Sequence, residues 1–121
     1  MDNKDRRRAA IEALYEDTCT VVVYTSASDI VTKQAVIIEN TKYVNQPCRI
    51  SDVVLQTTGN GEVAAVVQKK KLFCAPELDI PPGSKIVVMQ NGRETAFKNS
   101  GKSSVRDTHQ EIMLEIFKKW A

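Results

Sequence analysis

The residues that could do chemistry are few and lie far apart along the chain. His109 is the single histidine among 121 residues, and the nearest titratable residues in sequence are Asp107 and Glu111. Catalysis needs groups that titrate near neutral pH, or activated nucleophiles, held together in one pocket. Ser103 and Ser104 do not stand in a nucleophile-elbow pattern. We therefore predict no catalytic residues and no enzymatic activity.

The three cysteines are predicted to be buried free thiols. Cys19, Cys48 and Cys74 are odd in number, distant in sequence, and each lies in or beside an apolar segment. Free cysteine behaves as a small buried apolar residue, whereas disulfides are typical of oxidising compartments. A zinc site needs four ligands at recognisable spacing. The glycines at 59–61 are not followed by the Lys-Ser/Thr pair of a phosphate-binding loop. We predict neither a metal site nor a cofactor.

The composition fits one globular domain spanning residues 1–121. The chain is 42% hydrophobic and 26% charged, which excludes wholesale disorder. Its net charge of +2 gives no electrostatic indication of nucleic-acid binding. No apolar segment approaches the roughly 20 residues of a membrane span, and the N-terminus lacks the apolar run of a secretory signal. We expect the protein to stay in the compartment where it is made.

A helix is predicted near the N-terminus, from about Lys4 to Tyr15 within the segment 1–17. Asp2 or Asn3 can cap it, and three apolar residues fall on one face of a run rich in Ala, Arg and Glu, namely Ala10, Ile11 and Leu14. A helix of this length is marginal in water unless its apolar face packs against something. Either the rest of the domain or a neighbouring subunit must therefore receive it.

The remainder, residues 18–121, is predicted to be mainly β, a small β-barrel or sandwich. Pro76 must end one strand, the prolines and glycine at 81–83 predict a tight turn, and Asn91-Gly92 is typical of a type I′ hairpin. Several short strands bounded by such turns indicate a sandwich or barrel. The strand signals lie at 18–24, 36–38, 48–51, 66–73, 85–90 and 95–98, with a break expected at 45–47.

A long mobile loop is predicted from about residue 54 to residue 65. Gly59, Asn60 and Gly61 lie at its centre, and so polar a tract cannot bury enough apolar surface to order itself. Loops of this length inside a compact domain tend to have a use.

The C-terminal segment fits two secondary structures. Thr108 with Glu111 matches a helical capping box, and apolar residues from 112 to 120 share a helical face. The alternation of Ile112, Leu114 and Ile116 with other residues also suits a strand that closes a barrel. Periodicity alone favours the helix.

The order of these motifs resembles that of the head-closure proteins of tailed bacteriophages and prophages, which are also called head-tail connector or stopper proteins. The resemblance covers nearly the whole chain and rests on the order and spacing of its motifs. These are the 15–21 segment YEDTCTV, the 46–49 segment QPCR, the 72–86 segment LFCAPELDIPPGSKI, the hairpin at 91–92, and the 109–111 segment HQE.

The resemblance implies a structural virion protein of the phage neck, made in the cytoplasm of the bacterial host and without enzymatic activity. Such a protein forms a ring that closes the DNA-filled head and joins it to the tail. The implied partners are six or twelve copies of itself, portal or adaptor proteins on the head side, and tail-terminator or tail-tube proteins on the tail side. Double-stranded DNA passes through the ring without sequence-specific contacts.

The resemblance also suggests roles for two sets of residues, and it assigns 110–117 to a strand against the local pattern. A loop that lines or obstructs the DNA channel is expected at Thr57, Thr58, Gly59, Asn60, Gly61 and Glu62. Subunit contacts are expected at Ile11, Leu14, Tyr15, Phe117 and Trp120, and in the tract 25–33.

Two alternative functions remain open at this point. One is a tail-completion or tail-terminator subunit. The other is a nucleic-acid-binding module of the OB type, because short strands carry interspersed cations. The cations that would line its binding face are Lys69, Lys70, Lys71, Lys85 and Arg93.

Overall fold

One helix and seven strands make up the described part of the chain. The computed structural model describes residues 3–28, 31–57, 65–101 and 103–120, with the backbone alone for 54–57 and 65–68. In chain order the elements are α1 (Asn3–Glu12), β1 (Asp17–Ser28), β2 (Ala35–Thr57), β3 (Ala65–Cys74), β4 (Lys85–Gln90), β5 (Arg93–Asn99), β6 (Ser104–Val105) and β7 (Gln110–Ile116). No helix within these residues is long and apolar enough to cross a membrane.

The strands form an antiparallel sheet whose pairings close into a ring. The order is β3-β2-β1-β4-β5-β7, and β7 pairs again with β3. The two-residue strand β6 adds to β7 outside this ring. The sheet is therefore barrel-like, and the prediction of a mainly β fold with an N-terminal helix is confirmed.

The core lies inside the closed part of the sheet. Alternate residues of the strands point inward, as in β4, where Ile86 and Val88 are buried and their neighbours are partly exposed. Fully burying a side chain of this size contributes about 1.5–3 kcal/mol. The buried cluster comprises Cys19, Val21, Cys48, Leu72, Cys74, Ile80, Ile86, Val88, Phe97, Ile112 and Leu114.

The predicted turns occur where the sequence places them. Asn91 and Gly92 adopt φ of 51° and 75° between β4 and β5, which is the backbone of a type I′ hairpin. Gly83 adopts φ of 84° in the turn that follows the two prolines. β3 ends at Cys74, two residues before Pro76.

The C-terminal segment is a strand, so the helix favoured by local periodicity is wrong. β7 pairs with β3 along 110–114 and with β5 along 114–116. Ile112 and Leu114 enter the core at 0% and 2% exposure. Pairing on both sides outweighs a helical preference of a few tenths of a kcal/mol per residue. The strand that the family resemblance implied for this segment is confirmed.

The helix is shorter than predicted. α1 ends at Glu12, a turn follows, and β1 starts at Asp17. None of the helical residues is buried, so little tertiary packing is available to extend the helix beyond Glu12. Asp17 is instead taken into the sheet, where it is buried and pairs with Cys48 of β2.

β2 is much longer than the two separate strands expected at 36–38 and 48–51. The break predicted at 45–47 does not occur. Asn45 adopts a positive φ of 49°, which is a local irregularity in the strand, and β2 continues on both sides of it. The first half of β2 pairs with β1 and the second half pairs with β3. One strand therefore belongs to two hairpins.

Both tracts that were predicted as loops are partly strand. Residues 54–57 pair with residues 65–68, so the loop expected at 54–65 is shorter, and its part at 58–64 lies outside the described residues. Residues 25–28 likewise belong to β1. Backbone hydrogen bonds alone can extend a hairpin, because they do not depend on which side chains the residues carry. The residue types therefore did not indicate these strand ends.

Candidate assembly surfaces

The only histidine belongs to an ionic network around Glu111. Its Nε2 lies 3.0 Å from Glu111 Oε2, and its Nδ1 lies 3.1 Å from Thr108 Oγ1. Lys71 Nζ lies 3.0 Å from Glu111 Oε1, and Arg106 Nε lies 3.7 Å from Oε2. His109, followed by Lys71, lowers the pKa of Glu111. The network ties β3 to β7, and the expectation that this protein is not an enzyme stays a prediction.

The three thiols are free and buried, as predicted. Cys19, Cys48 and Cys74 are each at most 1% exposed. Burial raises the pKa of Cys74 to about 12. A hydrogen bond to Cys19, together with burial, raises the pKa of Cys48. Within the described residues, no group of three or more His, Cys, Asp or Glu side chains is arranged to hold a metal ion.

Two buried amides hold the connection between β3 and β4, which we call the 75–84 loop. Gln110 Nε2 donates to the carbonyl oxygens of Ala75 and Leu78, both at 2.7 Å. Asn99 Nδ2 donates to those of Ile80 and Pro81 at 3.1 and 3.3 Å. Both amides are 1% exposed, so their hydrogen bonds lie out of water. Sequence reasoning missed both residues, because an isolated Asn or Gln carries no local signal of burial.

The 75–84 loop also receives contacts from its outer side. Asp79 forms an ion pair of 2.7 Å with Lys42, and its backbone N–H donates to the hydroxyl of Tyr43 at 3.0 Å. Helix α1 docks there through Arg8, which binds both carboxylate oxygens of Glu77 and lowers the pKa of that carboxyl. Exposed ion pairs of this kind contribute little to stability. The helix is therefore attached from outside and not built into the core.

The residues at the end of α1 and just after it that are expected at a subunit contact differ in exposure. Leu14 is 53% exposed, and Ile11 is partly exposed. The hydroxyl of Tyr15 is buried without a hydrogen-bond partner, and burial raises its pKa to about 12. Tyr15 lines a cavity of about 230 Å³ together with Glu12, Pro47 and Ala75. Their role in subunit contact stays a prediction.

The C-terminal tail, residues 117–120, packs back on its own chain. Trp120 lies 4.6 Å from the ring of Tyr24, centroid to centroid, and its Nε1 donates to Glu39 Oε1 at 3.0 Å. Lys85 Nζ lies 3.5 Å from the same carboxylate oxygen and 5.0 Å from the centroid of the Phe117 ring. Of the two residues expected at subunit contacts, Trp120 thus packs on the β1–β2 hairpin, and Phe117 packs on Trp120 at 4.9 Å between ring centroids.

The outer part of this hairpin projects beyond the closed sheet. We call residues 24–28 of β1 and 35–39 of β2 the β1–β2 arm. Every one of these residues is exposed. They nevertheless include Val36, Ile37 and Ile38, which are 42%, 48% and 45% exposed. The sequence marks these residues as a strand but does not show that the strand lies outside the core.

The expected channel loop extends from the other hairpin, between β2 and β3. Thr57 is the last residue of β2, and its backbone pairs with that of Ala65. The other candidates, from Thr58 to Glu62, lie outside the described residues. The hairpin that carries them is crossed by an ion pair of 2.6 Å between Lys70 and Asp52.

Three of the five cations that suggested a nucleic-acid-binding face have carboxylate partners. Lys70 pairs with Asp52, and Lys71 pairs with Glu111. Lys85 lies 3.5 Å from Glu39. Cations neutralised in this way are poor ligands for phosphate, so the arrangement does not favour an OB-type binding face.

A solved structure with a similar fold comes from a phage element. The chain matches the phage-like element PBSX protein xkdH from Bacillus subtilis with a TM-score of 0.53 and 12% sequence identity. The match covers 83% of this chain and 93% of that chain. At this identity the likeness shows a common fold. No protein-family model matches the chain, and no curated protein sequence matches it.

Proposed function

We propose that this protein is a structural component of the phage neck, which forms a ring that closes the DNA-filled head and joins it to the tail. The observation that carries the proposal is the fold shared with a protein of a phage-like element over most of both chains. The order of motifs that resembles head-closure proteins supports the same role independently of that comparison.

The distribution of apolar residues is consistent with a ring subunit. The closed sheet holds a core of its own, and the β1–β2 arm and Leu14 present apolar surface outside it. A ring forms when one surface patch of each copy binds a different patch of the next copy and the rotation closes. Projecting elements suit such head-to-tail contacts, because they reach a neighbour without disturbing the core.

The charge of the protein suits a channel that DNA must leave freely. Each phosphate that a protein neutralises adds salt-dependent affinity. The net charge is only +2, and Lys70, Lys71 and Lys85 are paired with carboxylates. We propose that the tract from Thr57 to Glu62 lines or obstructs this channel, with portal or adaptor proteins on one side of the ring and tail proteins on the other.

The location in the particle tests the proposed function. Particles from the phage or prophage that encodes the chain are separated into complete particles, heads without tails and tails without heads. We expect an antibody against the chain to label one vertex of the filled heads in electron micrographs. Absence from all particles would overturn the proposal. Presence on headless tails alone would instead establish the tail-completion role.

A deletion tests the channel loop separately. Residues 58–62 lie in the sequence between Thr57, the last residue of β2, and Ala65, the first residue of β3, so a variant without them should fold and enter particles as the wild type does. Filled heads should then lose their DNA, which nuclease sensitivity measures. A matched variant with the same number of Gly and Ser residues at these positions shows whether length or side chains matter. Full DNA retention by the deletion variant would contradict the channel role.

A further inference from the structure

The β1–β2 arm leaves the closed sheet at one rung, which Tyr24 and Glu39 form directly opposite each other. The pairing of β1 with β4 ends before it, at Val22, and that of β2 with β3 starts only at Cys48. From this rung outward, the described backbone pairings of the arm are those between its own two strands. A two-stranded ribbon is at best marginally stable in water. Contacts at the rung therefore matter for the direction that the arm keeps.

The C-terminal tail meets the arm at this rung. The ring of Trp120 lies 4.6 Å from that of Tyr24, centroid to centroid, and its Nε1 donates to Glu39 Oε1 at 3.0 Å. Lys85 of β4 places its Nζ 3.5 Å from the same oxygen. One carboxylate oxygen of the arm thus receives a donor from the tail and a cation from the closed sheet. Both residues of the rung are therefore held from outside the arm.

The beginning of the tail is fixed on the closed sheet. The backbone N–H of Phe117 donates to the carbonyl oxygen of Ala96 on β5 at 3.1 Å. The ring of Phe117 lies 4.9 Å from that of Trp120, edge to face, and its centroid lies 5.0 Å from Lys85 Nζ. The contacts form an unbroken series from β5 through the tail to the rung and on to β4. Because this series starts and ends on the closed sheet, it attaches the arm to two of its strands.

These contacts can open without unfolding the closed sheet. The side chains that make them are not part of the buried cluster. Trp120 is only partly buried, and it lines a cavity of about 210 Å³ together with Val23, Tyr24 and the turn at 81–84. A side chain beside a void lacks part of its packing contacts. Single aromatic pairs and exposed ion pairs are weak, so this series should break more easily than the core.

We propose that the C-terminal tail is a latch that fixes the direction of the β1–β2 arm. Release of Trp120 lets the arm move as a unit while the closed sheet stays folded. This inference goes beyond the proposed function and holds whether or not the chain forms a ring. The two events are linked: a partner that binds the arm in another direction favours release of Trp120, and a partner that displaces Trp120 makes that direction accessible.

Amide hydrogen exchange of the purified full-length chain tests the latch. Trp120→Ala should speed the exchange of the protected amides at 25–28 and 35–38 at least about tenfold, because local opening of the arm becomes easier. The amides of β4 and the urea midpoint should stay as in the wild type. Lys119→Ala is the matched control, because it changes an exposed side chain of the same tail. Equal exchange of the arm in both variants, an arm that is unprotected already in the wild type, or an increase that β4 shares equally would overturn the proposal.

A distance measurement shows whether the arm changes direction. Spin labels are attached to Ser26→Cys on the arm and Glu94→Cys on β5, both exposed positions, while the native thiols are at most 1% exposed and stay unlabelled. With Trp120 in place, electron-spin resonance should give one narrow distribution of distances between the labels. Adding Trp120→Ala should broaden this distribution, and adding Lys119→Ala should leave it narrow. A distribution that stays equally narrow without Trp120 would contradict the latch.

Discussion

The closed sheet and the β1–β2 arm use the same residue types for different purposes. In β4, Ile86 and Val88 are buried to 0% and 2% exposure, whereas Val36 and Ile38 in the arm stay more than two-fifths exposed. All four are β-branched and favour extended backbone equally well. The local sequence thus predicts a strand in both regions. Which of the two strands encloses a core depends on the other strands with which it pairs. Apolar area in the sheet stabilises the fold, whereas apolar area in the arm stays exposed to solvent.

Truncating a residue of the closed sheet should have the largest effect. Leu72 is fully buried, with Ile50 and Ile112 as its partners on β2 and β7. Leu72→Ala should lower the free energy of unfolding by about 2–5 kcal/mol, because it removes buried methyl groups and leaves a cavity. Urea unfolding measures this. Ile38→Ala in the arm is the control and should cost less than about 1 kcal/mol. An equal loss of unfolding free energy in the two variants would contradict the view that only the closed sheet holds the core.

Removing one amide from the closed sheet should cost somewhat less. Asn99→Ala leaves the carbonyl oxygens of Ile80 and Pro81 and the N–H of Gly101 without their side-chain partner. An unsatisfied buried group costs about 1–3 kcal/mol. We also expect faster amide exchange at Gly83, whose backbone N–H donates to the carbonyl oxygen of residue 99 at 2.9 Å.

Asn40→Ala is the matched control, because Asn40 is an exposed amide on β2 where the arm begins. Unchanged stability of Asn99→Ala would mean that the 75–84 loop does not depend on this amide.

A substitution in the turn between β4 and β5 should have a smaller effect on the free energy of unfolding. Gly92 adopts φ of 75°, and a methyl group added there meets no heavy atom within 4 Å. Gly92→Ala should therefore destabilise only through backbone strain, by roughly 1 kcal/mol. Asn91→Gly at the neighbouring position should be neutral or stabilising, because its φ of 51° also suits glycine. Urea unfolding of both variants checks the difference, and equal stability would contradict the type I′ assignment.

The sequence predicted those features that depend on neighbours along the chain. Strands rich in β-branched residues and turns built on Pro and Gly follow from local sterics, so they were found. The helix that local periodicity favoured for the C-terminal segment was wrong, because the strand at Gln110–Ile116 depends on β3 and β5, which are distant in sequence. Asn99 and Gln110 were missed for the same reason, since their acceptors in the 75–84 loop lie 18 or more residues away in sequence.

The surroundings of the residues expected in subunit contacts were predictable only in part. The hydrophobic residues Phe117 and Trp120 stood out in the sequence, and the structure shows in addition that they contact their own chain, while their role in a subunit contact stays a prediction. The polar sequence of the tract 25–28 predicts a loop, whereas these residues belong to β1. Composition reveals that residues are apolar or polar, and the register of β1 with β2 is needed to show which of them share a face.

The smallest effect should be a change in pH dependence that is confined to the closed sheet. The pKa of Glu111 is lowered in the folded protein, chiefly by His109 and then by Lys71. The unfolded chain therefore binds more protons, so this stabilisation is present above the ordinary glutamate pKa of about 4.3 and is lost as the pH falls through the lower folded pKa. Glu111→Gln should lose more stability relative to the wild type at pH 6 than at pH 3, and His109→Gln should flatten the same slope. Urea unfolding at both pH values measures it. Ile38→Thr in the arm should keep the wild-type slope, and a slope that Glu111→Gln leaves unchanged would show that the ion pairs around this carboxylate do not stabilise the sheet.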